Sequence, residues 1–495
     1  MIQKNKRILE LKNYTNDSIL NLVLDTLERG KQIIIFVNSK RNAESLAKRI
    51  SFYLKDFLSE EIKSYLKEIA EKIKNVLDIP TEQCTVLSEC VQYGVAFHHS
   101  GLLSEQRAMI ENEFKKGNIK VIVCTPTLSA GINLPAYRVL IKEIYRFDNT
   151  IKPISRMEFH QMAGRAGRPD YEKEGEAIVL SDNEDFVYNN YINKDPEEII
   201  SKISVETKLR SIILSLCCKY TSTKEIYNFM QNTFFAHQYG DFSMLKNKIL
   251  SILRELHKMN FIRINKDHIQ KEFIPSNEIT DNFLFVPTEL GRRVNDLYLD
   301  PYTAANIVKF FSRNDKNLVL YLYTLTQSYE LLPLFSVSKK EEENLISFML
   351  QNELPLEDTD SIQQAKFVMI LLDWINEKSE RLIEEEYNVR PGELKSKLEI
   401  IEWLGYASEE ISKIVNPEFY SFLKIINLRL KYGVKDELVE LCALKYIGRM
   451  RSRQLYEVGI KNVKDLLLKQ SSARKVLGKF YDLVLKENNL YLSKQ

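Results

Sequence analysis

Three short apolar runs, two of them closing on a polar turn, constrain this chain most. They are Ile33-Ile34-Ile35-Phe36-Val37 before Asn38-Ser39, Lys120-Val121-Ile122-Val123-Cys124 before Thr125-Pro126-Thr127, and Gly175-Glu176-Ala177-Ile178-Val179-Leu180. Through about residue 190 such strand-like runs alternate with helical patterns, the signature of a parallel sheet covered by helices. In open sheets of that kind ligands bind just past the carboxyl ends of the strands, which singles out Asn38-Ser39 and Thr125-Pro126-Thr127. The stretch from Ser51 to Ile79 reads as an amphipathic surface insertion.

The strand signal fades after residue 195. Residues 200–290 read as three helices followed by short β stretches at Phe261–Ile264 and Phe283–Pro287, the order of a winged-helix module. Residues 295–432 read as an all-α bundle. From Gly433 onward, Ile447-Gly448-Arg449-Met450-Arg451-Ser452-Arg453 and Val458-Gly459-Ile460 resemble a helix-hairpin-helix unit, in which a glycine turn lets backbone N–H groups approach a phosphate. The expected domains are therefore 1–195, 196–294, 295–432 and 433–495, in line with a length of 495 residues, too great for one core.

Composition excludes several classes. At 44% hydrophobic and 28% charged residues the chain is globular, not disordered. Its 70 Lys and Arg nearly balance 68 Asp and Glu, so contact with nucleic acid has to come from local basic stripes. Six cysteines show no Cys-x-x-Cys spacing, which argues for a reduced setting and against a metal site in this chain. No apolar run approaches the roughly 20 residues needed to span a bilayer. The chain starts without the apolar core of a signal peptide, and the expected location is cytoplasmic, with no membrane partner.

The segment Gln161-Met162-Ala163-Gly164-Arg165-Ala166-Gly167-Arg168-Pro169 carries the most chemistry. Two arginines three positions apart, set among glycines, suit a tight turn that aims cations at a γ-phosphate. Guanidinium stays charged and grips phosphate oxygens in a bidentate fork. A nucleoside triphosphatase also needs a glycine-rich loop ending in Gly-Lys-Ser/Thr and an acidic Mg²⁺ ligand. Neither occurs in these residues: the two Gly-Lys pairs, Gly30-Lys31 and Gly478-Lys479, continue with Gln32 and Phe480. Arg165 and Arg168 are therefore expected to act only when another domain delivers the nucleotide.

Three further segments precede it: Phe36-Val37-Asn38-Ser39-Lys40-Arg41, Ala96-Phe97-His98-His99-Ser100-Gly101-Leu102, and Thr125 to Pro135. Adjacent histidines point in different directions, so His98 and His99 suit polar contacts better than a shared metal. In this order the four segments resemble motifs IV, IVa, V and VI of the second RecA-like domain of Ski-like superfamily 2 helicases. Leu209-Arg210-Ser211, Pro287 to Val294, Leu297-Tyr298-Leu299-Asp300-Pro301, Arg390 to Leu394 and Trp403-Leu404 narrow the resemblance to archaeal Hjm-type DNA helicases, relatives of the helicase half of polymerase theta.

The resemblance implies a RecA-like parallel-sheet domain followed by winged-helix and mainly α-helical domains, in an ATP-dependent 3′ to 5′ DNA translocase acting on single-stranded, forked and stalled replication DNA. It places Arg165 and Arg168 at the γ-phosphate, Gln161 between ATP and DNA, and Gly131, Asn133 and Gly164 near the nucleotide. Asn38, Ser39, Arg41, His99, Thr125 and Thr127 would contact nucleic acid. Tyr145 and Phe147 would belong to a strand-separating hairpin over Tyr145–Lys152, and Trp403 to a ratchet helix. A basic residue usual seven positions before that tryptophan is Ser396 here, flanked by Lys395 and Lys397 as substitutes. Arg449, Arg451 and Arg453 would contact phosphates. ATP with Mg²⁺ would be bound jointly with a separate RecA-like Walker A/DExH polypeptide. The alternatives are a part of a Ski-like RNA helicase and a non-catalytic DNA-binding adaptor.

Overall fold

The computed structural model describes residues 11–488 apart from 56, 129–133, 149, 168–173, 204, 240–242, 266–283, 314 and 357. Contacts divide the chain into two compact units, Met1–Ile199 with Glu380–Lys395, and Ile200–Ser379 with Ser396–Gln495.

In the first unit the strands are β1 (Ile33–Phe36), β2 (Val95–His98), β3 (Val121–Cys124), β4 (Arg138–Ile141), β5 (Tyr145–Asp148), β6 (Thr150–Pro153) and β7 (Glu176–Val179). Five form one sheet in the order β2-β3-β1-β4-β7, every pair parallel, with Ile33 level with Val121 on one side and Arg138 on the other. The three apolar runs become β1, β3 and β7, while β2 and β4 complete the sheet. Strands β1 to β4 are buried at every position, which is why they show no polar alternation.

An arginine inside such a strand needs every donor answered. The guanidinium of Arg138, only 1% exposed, meets Asp25 (2.9 Å), Thr26 Oγ1 (2.6 Å) and the Leu22 carbonyl (3.3 Å) on the helix Ser18–Glu28, and Glu176 of β7 (2.7 Å). Burial pushes the Asp25 carboxyl up, but Arg138 and Arg29 outweigh it and hold the group below its usual value.

Two features depart from the sequence reading. The helix Glu60–Lys74, expected on the surface, buries Leu66, Ile69, Ala70 and Ile73 in the same core as the sheet. The apolar face of this amphipathic stretch belongs to the core and only its charged face to solvent. The segment Glu380–Lys395, expected with the helical bundle, packs in the first unit. There the Gly392 N–H donates to the Gly101 carbonyl (3.0 Å), and a Cβ on Gly392 would lie 2.3 Å from the Leu102 oxygen. Arg390 bridges Glu44 (2.9 Å) and Glu384.

The second unit opens with the helices Glu206–Lys219, Thr223–Gln231, Phe234–Tyr239 and Ser243–Lys258, one short helix more than expected, then the antiparallel pair β8 (Ile262–Ile264) and β9 (Phe285–Pro287), helices before a two-stranded sheet as in a winged helix. Helices make up the rest of its described elements. Arg210 is the buried arginine among its described residues. It meets both oxygens of Asp300 (3.2 and 3.3 Å) and lies over the rings of Tyr302 (4.1 Å) and Tyr329 (5.0 Å). Burial raises the Asp300 carboxyl above its ordinary value in spite of that partner. Residues Leu441 to Val484 enclose a small core of their own.

Candidate functional sites

The carboxyl ends of β1, β3 and β4 are tied together by backbone: Val37 N–H donates to Cys124 O (2.9 Å) and Lys142 N–H to Phe36 O (3.0 Å). Past them, Asn38 N–H donates to Glu143 (3.2 Å), and Ser39 caps the helix Lys40–Tyr53 by accepting from Asn42 N–H (3.2 Å). Arg41 is exposed on that helix's first turn. Thr125 N–H reaches back to the His98 carbonyl at the end of β2 (3.2 Å). A narrow cleft here is lined by Asn38 and Glu143, Pro126, the hairpin residues Tyr145 and Arg146, and Glu158 and Met162 of the helix Arg156–Ala163. Segments that lie far apart in sequence thus meet at one edge of the sheet.

That last helix carries Gln161, exposed, and leads into the turn holding Arg165, half-buried. Its first turn is held twice. Ser155 accepts from Glu158 N–H (3.1 Å), and the Glu197 carboxylate accepts from Arg156 N–H (2.6 Å) and Met157 N–H (2.9 Å). The helix ends on Gly164 as its C-cap. The turn is then fastened to Ala136, two residues before β4: Ala136 N–H donates to Arg165 O (2.9 Å) and Gly167 N–H to Ala136 O (2.7 Å). Gly167 has φ +95°, where glycine is the natural residue, and a Cβ on Gly175 would sit 2.2 Å from Gly167 N. Two bare backbones make the close approach that sets Arg165 beside the end of the Thr125–Pro135 segment. Arg168, Gly131 and Asn133 lie outside the described residues, as do the side chains of Thr127 and Phe147.

Strands β5 and β6 form the expected hairpin, Tyr145 opposite Pro153 and Phe147 opposite Ile151. Tyr145 stacks on Phe186 (6.1 Å), and Ile151 is 75% exposed, so the hairpin presents an apolar side chain to solvent. His99 is fully buried, its Nδ1 accepting from Gly101 N–H (3.1 Å), its ring stacked on Phe97 (5.4 Å) and facing Glu44 (3.3 Å). Burial drives its imidazole below the ordinary value, outweighing Glu44. In this position it holds the turn after β2 and offers no face to a nucleic acid.

In the second unit Trp374 is core, its Nε1 donating to Leu430 O (2.7 Å), whereas Trp403 lies half-buried on a helix face with Nε1 donating to Leu297 O (3.2 Å). Lys397 donates to the carbonyls of Leu331 and Pro333. In the first unit Lys395 pairs with Glu105 (2.8 Å), and that hydrogen bond holds the Glu105 carboxyl down at about 2. Both lysines flanking Ser396 are thus engaged by protein. The C-terminal arginines are engaged too. Arg449 lies over Trp374 (4.8 Å) and donates to Lys378 O (3.0 Å), Arg451 lies over Phe480 (3.9 Å), and Arg453 joins Glu377 and Glu437.

Among the described residues no group of His, Cys, Asp and Glu could hold a metal ion, and no helix is long and apolar enough to cross a membrane.

Residues 69–170 match the family model of the helicase conserved C-terminal domain, and residues 319–433 that of archaeal helicase domain 4. Over 97% of its length the chain is 36% identical to the ATP-dependent DNA helicase Hel308 of Methanococcus vannielii, covering 68% of that protein. It belongs to the Hel308 family. Its identity to the Hel308 of Pyrococcus horikoshii is 37% over 90% of the chain, and to that of Thermoplasma volcanium 34% over 97%. It spans 62% and 67% of those two relatives. This bears out the resemblance to archaeal superfamily 2 helicases read from the motifs. The two models cover the Thr125–Pro135 and Gln161–Pro169 segments and Trp403 of this Hel308 chain, but not Asn38–Arg41. Glu197, which fixes the start of the helix bearing Gln161, was not singled out from sequence. It lies some forty positions from the amides it binds, and nothing local marks it.

Proposed function

We propose that this chain supplies the second wall of the ATP site and most of the DNA track of a 3′ to 5′ DNA helicase acting on forked and stalled replication structures. The phosphate cradle comes from a separate RecA-like polypeptide with a P-loop, and ATP with Mg²⁺ is held jointly. The observation that carries this reading is the backbone lock between Ala136 and the Arg165–Gly167 turn. A surface loop without a task has no need of two glycine backbones in contact.

Bound ATP supplies a phosphoryl group whose transfer to water releases free energy. The residues of this chain position and stabilise. Arg165 and Arg168 bring positive charge to where negative charge grows, a role in which arginine contributes large rate factors and acts across interfaces. Gln161, one turn earlier, reports the state of that site to the strand-contacting side. Asn38, Ser39, Arg41, Thr125 and Thr127 hold the DNA backbone, the hairpin around Tyr145 and Phe147 parts the duplex, and Trp403 stacks on the separated strand. The domains follow the divisions at 195, 294 and 432, except that Glu380–Lys395 packs in the first unit.

The test is DNA-stimulated ATP hydrolysis and unwinding, with this chain alone and mixed with a RecA-like P-loop polypeptide of a Hel308 relative. The expected result is no hydrolysis alone and hydrolysis with fork unwinding on mixing. Hydrolysis by the chain alone contradicts the shared site. No gain on mixing favours the adaptor, and preferential unwinding of RNA duplexes favours the RNA helicase.

A further inference from the structure

Tyr298 stands where a helix end favours glycine. It follows Leu297, the C-cap of the helix Glu289–Asp296, with φ +58°. Its own N–H donates to Asn295 O (3.0 Å) and the next N–H, of Leu299, to Val294 O (3.3 Å). The left-handed backbone that closes a helix this way crowds a Cβ, which is why glycine prevails there. The tyrosine ring is also 86% exposed, more than any other large hydrophobic side chain among the described residues. Strain and exposure together do nothing for the fold, and an aromatic held so is a candidate for binding.

Its surroundings give it a direction. Leu297 O accepts from Trp403 Nε1 (3.2 Å), and Arg293, one turn back on the same short helix, bonds Tyr406 and Glu410. The short helix therefore runs antiparallel to the helix Pro391–Val415. Carried one residue past Leu297, that direction leads from Trp403 towards Ser396 and Glu399, both exposed. Residues 396, 399, 403, 406 and 410 share one face at helical spacing. That face carries two aromatic rings, Trp403 and the 51% exposed Tyr406, together with carboxylates. Such a face attracts bases and turns phosphates away.

We propose that Tyr298 is a base-stacking platform for single-stranded DNA, continuing the aromatic face of Trp403 past the position where this chain has Ser396. The inference rests on the DNA-helicase reading and adds to it the residue that orders the strand next to Trp403. Stacking is tolerant of sequence and independent of charge, so an uncharged Ser396 is no obstacle to it.

The experiment uses the full chain and a single-stranded oligodeoxynucleotide containing 2-aminopurine, read by anisotropy and by base fluorescence. Tyr298→Gly removes the ring and relieves the backbone, so the melting temperature holds or rises. Affinity is expected to fall roughly tenfold, with the 2-aminopurine signal diminished and the salt dependence of binding unchanged. Tyr298→Phe restores both signals. A Tyr298→Gly protein that binds and quenches as the parent does, or a Tyr298→Phe protein that fails to rescue, overturns the inference alone. A parent chain that does not bind the strand overturns the helicase reading together with it.

Discussion

Arg165 and Trp403 are placed by different means. Arg165 sits on a turn whose position is dictated by main chain: Ala136 bonds both sides of it, and Gly167 and Gly175 touch backbone to backbone. Trp403 sits on one face of a long helix and is oriented by a single side-chain hydrogen bond to Leu297 O. The same contrast runs through the surrounding charges. In the first unit a buried arginine, Arg138, anchors the strands that flank the turn. In the second unit the basic residues of most interest, Lys397, Arg449 and Arg453, bind carbonyls, a ring and carboxylates, and solvent is offered aromatic rings. A site that stabilises a phosphate needs cations fixed to within a fraction of an ångström, and main chain fixes them best. A site through which a strand must slide favours rings that hold any base equally.

The two buried arginines break this contrast most severely. Arg138→Ala leaves Asp25 to Arg29 and Glu176 to Tyr137 but removes the buried cation between them, and Arg210→Ala removes the ion-pair partner of Asp300, each expected to cost about 3 to 5 kcal/mol. Both tryptophans, Trp374 and Trp403, lie in the second unit. In urea titrations Arg138→Ala should therefore lower the far-UV dichroism midpoint more than the tryptophan-fluorescence midpoint. Arg210→Ala should lower the fluorescence midpoint. Equal shifts of both signals in both variants would mean that the units unfold as one.

A smaller effect tests how the segment Glu380–Lys395 is held in the first unit. Lys395 depresses the Glu105 carboxyl to about 2, below its value in an unfolded chain, about 4.3. The unfolded chain then binds the extra proton between those values, so this contribution is complete above about pH 4.3 and is lost as pH falls towards 2. Lys395→Ala should flatten the stability profile in that window only. The change is small because both side chains are half exposed. Acid titration of the parent and variant by dichroism measures it, and identical profiles would remove the pair from the account.

The sheet was legible because a strand buried on both faces writes itself as a short apolar run, and because polar turns follow β1 and β3. The hairpin β5–β6 was legible from aromatics around Asp148-Asn149. What sequence could not show depends on partners distant along the chain. Arg138 looks like a charge in a strand until Asp25 and Glu176 are placed around it. Arg449 and Arg453 look like a basic stripe until Trp374, Glu377 and Glu437 meet them. Gly392 gives no sign of Gly101. Tyr298 reads as one aromatic in a Leu-Tyr-Leu-Asp-Pro string, and only its backbone angle and exposure set it apart.

The wall formed by the Gln161–Gly167 turn is tested most directly by ATP hydrolysis in the assembled pair with Arg165→Ala in this chain. The account predicts a fall in DNA-stimulated turnover of about 10³-fold or more, with single-stranded DNA affinity and folding unchanged. Undiminished turnover would contradict it.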